Sequence, residues 1–139
     1  MALGKNAKVE FLKRVPLFAG CSKAELAELA IRTDELAIAE GRTLAREGKP
    51  GKEFFVLVDG TVSVSKGEQK LSELGAGDWF GEIALLTKAP RTATVTATTS
   101  VRVLVISDRA FRTVVEETPS IALKMLASVG ERLASDARS

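Results

Sequence analysis

The chain has 139 residues, of which 45% are hydrophobic and 27% are charged, so we expect one packed domain of ordinary size. The net charge of +2 is too small to indicate a nucleic-acid surface, and the lack of His excludes Ser-His-Asp and Cys-His catalysis. The single cysteine, Cys21, excludes an intrachain disulfide and a multi-cysteine metal site. With neither a signal peptide nor an apolar run of about 18 residues, the sequence predicts a soluble, cytoplasmic protein.

Residues 1–32 are predicted to form a helical segment. Val9 and Leu12 are spaced as on a short amphipathic helix, which Pro16 interrupts. A second helix is predicted to begin at Ser22-Lys23-Ala24-Glu25, which fits a capping box: the Ser22 side chain accepts from the amide of Glu25, and Glu25 reaches back to Ser22.

Residues 33–107 are predicted to form a β-barrel. The apolar run Phe54–Val58 and the alternating run Thr61–Ser65 flank Asp59-Gly60, which predicts a hairpin with a type I′ turn. A second β region runs from Thr92 to Ile106, with a break near Thr99-Ser100. Short strands separated by glycine turns are typical of an antiparallel barrel or jelly roll.

Two C-terminal helices are predicted within residues 108–136. Asp108 is a suitable cap for the first, and Thr118-Pro119 places a cap and a proline at the start of the second. One apolar stripe is predicted along the second helix, consisting of Ala122, Met125, Leu126, Val129 and Leu133. The fold class is therefore α+β, mainly β: an antiparallel β-barrel flanked by helices on both sides in the sequence.

The segment 80–95 is poorly explained by packing alone. Gly81 allows close backbone approach by a ligand, and Glu82–Leu86 can form one helical turn whose first amides suit an anion. The guanidinium of Arg91 can bind two phosphate oxygens, whereas the carboxylate of Glu82 is a good acceptor for sugar hydroxyls. Together these groups indicate a small sugar phosphate. The alternative is that Glu82 and Arg91 only pair with each other.

This segment, FGEIALLTKAPRTATV, resembles the phosphate-binding cassette of the cyclic nucleotide-binding domain family. The family pattern is F-G-E-x-A/C-L-L, a short spacer, and R-x-A-T/S-V. The family includes regulatory subunits of the cAMP-dependent kinase, catabolite activator proteins and cyclic-nucleotide-regulated channels. The resemblance extends over nearly the whole chain and implies a single domain, 1–139, built as a jelly roll (a double-stranded β-helix) with the cassette at 80–95.

The resemblance also implies roles for individual residues. Arg91 is expected to bind the cyclic phosphate and Glu82 the ribose 2′-hydroxyl, with backbone amides near Gly81, Ile83 and Ala84 completing the cradle. The Thr92 hydroxyl is expected to reach the phosphate or a guanine amino group, and the alternative is a plain strand residue.

Apolar side chains are expected to line the base. Val64 and Leu74 lie where the family contacts it, although such residues are more often plain core. The last helix is expected to close over the base as a lid, with Arg132 or Leu133 as its contact, unless Arg132 is simply solvated.

The function expected from this resemblance is a non-catalytic regulatory sensor that binds cAMP, or else cGMP, with no metal and no cofactor besides this ligand. Binding would be relayed through movement of the C-terminal helix to an effector protein or domain, without nucleic-acid or membrane contact. That helix would pack on its own barrel or against a second copy in a homodimer. The alternative function is a structural or interaction domain that has lost tight nucleotide binding. The chain is either a free-standing sensor or part of a longer regulator.

Overall fold

The computed structural model describes residues 2–138, without the side chains of residues 83, 84, 132, 133 and 135–138. These residues form two compact units. The first comprises the described residues up to Thr33 and from Arg109 onward, and the second is Asp34–Asp108.

The first unit is helical. Its elements are α1 (Lys5–Lys13), a 3₁₀ turn (Pro16–Phe18), α2 (Lys23–Ile31), α3 (Asp108–Glu117) and α4 (Pro119–Arg138). The capping box at the start of α2 is confirmed, since the Glu25 amide donates to Ser22 Oγ over 3.2 Å and the Ser22 amide donates to Glu25 Oε1 over 2.7 Å. The start of α4 at Pro119 agrees with the Thr118-Pro119 signal.

Glu25 joins α2 to the first turns of α4. Its side chain is buried and accepts hydrogen bonds from the ammonium group of Lys124 and the hydroxyl of Ser120. These two bonds, with the bond from the Ser22 amide, lower the pKa of Glu25 from 4.5 to about 2 against the opposing effect of burial. The carboxylate of Glu25 therefore caps the start of α2 and also binds two side chains of α4.

The predicted apolar stripe of α4 is confirmed at Met125 and wrong at Leu126. The buried positions are Ile121, Met125 and Ser128, whereas Leu126 is 69% exposed. Residues 121, 125 and 128 follow the i, i+4, i+7 spacing of one helix face, next to the face that was predicted. The prediction omitted Ile121, a large residue whose complete burial fixes the rotation of the helix. The side chain of Leu133 lies outside the described residues.

The second unit consists of two four-stranded antiparallel sheets. One has the strand order β1-β8-β3-β6 and the other β2-β7-β4-β5. The strands are β1 (Asp34–Ile38), β2 (Thr43–Ala45), β3 (Glu53–Asp59), β4 (Val62–Lys66), β5 (Gln69–Leu74), β6 (Trp79–Phe80), β7 (Thr94–Ala97) and β8 (Val101–Ser107). The break predicted near Thr99-Ser100 separates β7 from β8.

A shared core holds the two sheets face to face. Phe55 and Leu57 of β3 and Val103 of β8 pack with Val62 of β4 and Val95 of β7 in one buried cluster. The unit is therefore a jelly-roll-like sandwich, and the predicted antiparallel barrel takes this two-sheet form. Removal of these apolar side chains from water is the main stabilising contribution in this unit.

The hairpin predicted at Asp59-Gly60 is wrong. β3 pairs with β6 and β8, whereas β4 pairs with β5 and β7, so the chain crosses here from one sheet to the other. Only Gly60 has a positive φ, at +88°, whereas a type I′ turn needs two such residues. The crossing runs beside the β7–β8 crossing, where the Thr61 amide donates to Thr99 Oγ1 over 3.0 Å and the Thr98 amide donates to the Thr61 carbonyl over 3.0 Å.

The helices show no membrane-spanning character within residues 2–138, because none combines the length and apolar composition needed to cross a bilayer.

Candidate ligand-binding site

The second unit contains a cavity of about 400 Å³, a volume in the range of small-molecule sites. Two groups of residues meet in it: members of the 80–95 segment and residues of strands β2, β4 and β5, which are apolar except for Ser72. Of the positions predicted from the sequence, those whose side chains or backbone line the cavity are Val64, Leu74, Gly81, Glu82, Arg91 and Thr92. Residues far apart in the chain therefore share one concave surface.

Arg91 is positioned by its own backbone. Its amide donates to the Lys49 carbonyl over 2.9 Å, and its carbonyl accepts from the Gly48 amide over 2.8 Å. A bridge between Pro50 and Pro90 adds a further contact between the same two segments. The glycine- and proline-rich turn at 48–51 thus fixes the Cα of Arg91 before β7 begins, which leaves its long side chain to extend from a fixed base.

Two glycines provide the space for the Arg91 guanidinium. A Cβ atom on Gly51 would lie 2.6 Å from Arg91 Nε, and one on Gly81 would lie 2.5 Å from Arg91 Nη1. Gly81 also has a φ of +82°, a conformation that favours glycine. Both positions therefore need a residue without a side chain if the guanidinium is to stay where it is.

The guanidinium has a neutral partner and an aromatic neighbour. Nη2 donates to the carbonyl of Glu53 over 2.6 Å, and Cζ lies 6.0 Å from the ring centroid of Phe55. The Phe55 ring stacks on Phe80 with centroids 4.7 Å apart. Burial lowers the pKa of Arg91 below its ordinary value, which the nearby Glu53 carboxylate partly opposes. A partly desolvated cation is favoured further by an anion placed within its reach.

Glu82 opens the 3₁₀ turn Glu82–Leu85, where a short helical turn was predicted. Glu82 lines the cavity, and its Oε2 atom is buried. The backbone of Ile83 and Ala84 belongs to the same turn, whereas their side chains lie outside the described residues. The turn therefore follows Gly81, which adjoins the Arg91 guanidinium, and begins with Glu82 at the cavity.

The remaining wall is mostly apolar. Val64 of β4 pairs in register with Val95 of β7 and Ser72 of β5, and all three line the cavity. Ala45 and Ser72 are the lining positions outside the 80–95 segment that the sequence did not indicate. Strand alternation could have found Ser72, which is two residues before Leu74 and so on the same face of β5.

The structure describes the side chain of Thr92 but not those of the two predicted lid residues. Thr92 is exposed and lies at the cavity, next to Arg91 in the chain. The side chains of Arg132 and Leu133, predicted as lid contacts, lie outside the described residues. In the part of the chain that is described, no group of three or more Cys, Asp or Glu residues is arranged to hold a metal ion.

The chain is similar to known proteins in sequence and in fold. The model of the cyclic nucleotide-binding domain family matches residues 35–118. A cAMP-dependent protein kinase regulatory subunit from Mycosarcoma maydis is 40% identical over an alignment of 111 positions that covers 73% of this chain and 21% of that protein. A CRP-like cAMP-activated global transcriptional regulator from Mycobacterium tuberculosis is 28% identical over an alignment of 129 positions that covers 89% of this chain and 58% of that protein.

A solved structure extends the likeness to three dimensions. The N-terminal domain of a transcriptional regulator from Streptomyces coelicolor A3(2) superposes with a TM-score of 0.86 at 32% identity, covering 93% of this chain and 96% of that one. The chain spans 21% to 27% of the lengths of the first three curated relatives, which are all kinase regulatory subunits. The match therefore covers only part of the length of these relatives.

Proposed function

Because the chain belongs to the cyclic nucleotide-binding domain family, we propose that it is a non-catalytic regulatory sensor that binds cAMP in the cavity of the second unit. The observation that carries this proposal is the position of Arg91. A half-buried guanidinium faces a cavity of about 400 Å³, where two glycines leave room for it and its described partner is a neutral carbonyl. An anionic phosphate would offset the desolvation of this cation.

The phosphate and ribose would bind at the charged side of the cavity. Arg91 donates one bond to the Glu53 carbonyl, and a guanidinium has five N–H donors, so others remain for two phosphate oxygens. Amides of the turn around Gly81, Ile83 and Ala84 would donate to the same phosphate. The Glu82 carboxylate would accept from the ribose 2′-hydroxyl, since an ionised carboxylate is an acceptor only.

The purine would lie on the apolar wall formed by Val64, Leu74 and Val95. A flat aromatic base gains from the burial of apolar surface on such a wall. We infer cAMP in preference to cGMP because curated relatives from two kinds of regulator carry cAMP in their names. Thr92 lies within the cavity lining and suits either a phosphate oxygen or a guanine amino group.

Binding would be relayed through α4, the last helix, to an effector. A ligand shifts such an equilibrium only by its differential affinity for two states, and Arg132 or Leu133 would supply that difference as lid contacts over the base. The partner we infer for α4 is a second copy of the chain, because Leu123 and Leu126 are each 69% exposed and lie three residues apart on this helix.

Calorimetric titration of the purified chain with cAMP and, separately, cGMP tests the proposal. We expect saturable one-to-one binding with the tighter affinity for cAMP. Arg91→Ala should weaken binding by about 3–5 kcal/mol, because it leaves a buried phosphate charge without its partner. That corresponds to roughly 10²–10³-fold or more in Kd. The ligand should be recovered unchanged after long incubation.

Arg46→Ala is the matched control, because Arg46 is an exposed arginine of the same unit that does not line the cavity. It should bind cAMP as the wild-type chain does. A folded wild-type chain that binds neither nucleotide at millimolar concentration would contradict the proposal and favour a structural or interaction domain.

A further inference from the structure

Strand β1 (Asp34–Ile38) forms one edge of its sheet. It stands at the end of the strand order and, among the described strands, pairs only with β8, in a regular antiparallel register over all five residues. Every other residue of such a strand directs its amide and carbonyl away from the neighbouring strand. Leu36, at the centre of β1, is 44% exposed, and Ala37 is exposed as well. This edge is therefore open to solvent and partly apolar.

The other three edges of the two described sheets carry features that prevent pairing with a further strand. β6 has two residues and β2 has three, with a register shift in the pairing of β2 with β7. β5 includes the exposed Lys70, and its pairing with β4 also has a register shift. Short edge strands, bulges and lysine are common means of protecting an edge. Among the described strands, β1 is the edge with five regular residues and neither lysine nor proline.

The charges around β1 are acidic. Asp34 begins the strand and Glu40 lies two residues after its end, and both are exposed. Glu35 is bound by Arg102 of β8 and has only 12% of its side chain exposed. No lysine or arginine occurs in residues 33–41. An added strand with a cation at each end would therefore meet opposite charge, whereas a second copy of β1 would bring like charges together.

We propose that the free edge of β1 binds an extended segment of a partner protein, which adds to the sheet as a further strand. The segment has apolar residues opposite Leu36 and a lysine or arginine at each end. In this mode of recognition the backbone hydrogen bonds supply affinity, and alternate side chains supply specificity. This surface is separate from the proposed nucleotide site, because none of the described residues that line the cavity belongs to β1.

The test uses a fluorescein-labelled heptapeptide with lysine at both ends and alternating valine and threonine between them. Fluorescence anisotropy of the peptide is measured as the full chain is added, without nucleotide. We expect saturable binding with a dissociation constant on the order of 10–100 µM, because one short strand buries less than the roughly 1,200 Å² of a stable interface. The same peptide with glutamate at both ends should bind about tenfold more weakly, since its charges repel the acidic edge.

Substitutions at the edge test which residues bind the peptide. Leu36→Lys gives β1 an edge lysine and should weaken binding about tenfold or more. Leu71→Lys is the matched control and should bind as the wild-type chain does, because Leu71 is 52% exposed on β5, an edge of the other sheet. Asp34→Lys combined with Glu40→Lys should weaken binding of the lysine peptide about three- to tenfold and strengthen binding of the glutamate peptide. Thermal unfolding shows that each variant is folded.

Peptides N-methylated at alternate residues distinguish strand addition from simple charge attraction. Two versions are used, one for each edge of the peptide, and at least one should lose binding because its amides can no longer pair with β1. Undiminished binding of both versions, equal binding to Leu36→Lys and the wild-type chain, or no binding to the wild-type chain at millimolar concentration overturns the inference. Dimerisation that Leu36→Lys abolishes, without peptide binding, would assign this edge to a second copy and overturn it as well.

Discussion

Gly51 and the guanidinium of Arg91 occupy adjoining volumes: a Cβ atom on Gly51 would lie 2.6 Å from Nε and 2.8 Å from Cζ. The backbone of Gly51 has no positive φ, so the space, and not the conformation, makes glycine necessary there. The turn that contains Gly51 also holds the Arg91 backbone through Lys49 and Gly48. The turn at 48–51 therefore fixes the backbone of Arg91 and also leaves the space that its guanidinium occupies.

Gly51→Ala should displace the guanidinium without unfolding the protein, since the clashing atoms are at the far end of a flexible side chain. We expect cAMP affinity to fall about tenfold or more, the effect of weakening a charge-assisted hydrogen bond. Calorimetric titration gives the affinity, and thermal unfolding should show a nearly unchanged Tm. Gly75→Ala, where an added Cβ meets nothing within 4 Å, is the control. Full affinity in Gly51→Ala would mean that the position of Arg91 does not govern binding.

The sequence predicts the part of the site that is local in the chain. Gly81, Glu82, Arg91 and Thr92 lie within one short segment, and all four line the cavity. Gly51 could not be assigned to the site in this way, because its contact with Arg91 depends on a pairing between distant segments. Ser72 was missed because β5 is largely exposed and its composition carries no apolar alternation.

The fold class could be predicted because its signals are also local in the sequence. The connections between the strands could not be predicted in this way. Short strands with glycine turns indicate a jelly roll, but the Asp59-Gly60 pair has the same local appearance whether the next strand returns beside the first or crosses to another sheet. The difference lies in long-range contacts of Gly60 with Ser100 and Val101. Local turn chemistry therefore predicts that the chain bends here, and tertiary packing decides which strands pair.

Gly60→Ala should strongly destabilise the second unit. Its Cβ would clash with the backbone carbonyl oxygen of Ser100 and with the Val101 side chain, and its φ is +88°. We expect a loss of more than about 2–3 kcal/mol in the free energy of unfolding, or no soluble protein. Gly67→Ala is the control, because its φ is +61° but an added Cβ meets open space, so only about 1 kcal/mol of backbone strain is expected. Urea unfolding measures both, and equal losses would contradict the steric explanation.

Glu25 should make stability depend on pH in the acidic range. Folding lowers the pKa of this carboxyl from 4.5 to about 2, so its ionised form favours the folded state. The contribution is fully present above pH 4.5 and is lost as the pH falls toward 2. Glu25→Gln should therefore lower the free energy of unfolding by about 1.5–3 kcal/mol at pH 7, the range for hydrogen bonds to a charged group.

The difference between the wild-type chain and Glu25→Gln should shrink as the pH falls from 4.5 toward 2, because the carboxyl of the unfolded chain then takes up a proton while that of the folded chain stays ionised. Chemical unfolding at a series of pH values measures this difference. Glu28→Gln is the control, because Glu28 is an exposed carboxylate on the same helix. A difference that stays constant down to pH 3 would show that the charge of Glu25 is not what stabilises the joint between α2 and α4.

The exposed leucines of α4 should control self-association. Leu123 and Leu126 are each 69% exposed, and burial of a leucine against a second copy is worth about 1.5–3 kcal/mol. We expect light scattering over a dilution series to show a reversible dimer of the wild-type chain. Leu126→Gln should raise the dimer dissociation constant about tenfold or more. Leu71→Gln, which replaces a leucine that is 52% exposed on β5, should leave it unchanged. A wild-type chain that is monomeric at every concentration would contradict the dimer and leave these leucines to a different partner or to solvent.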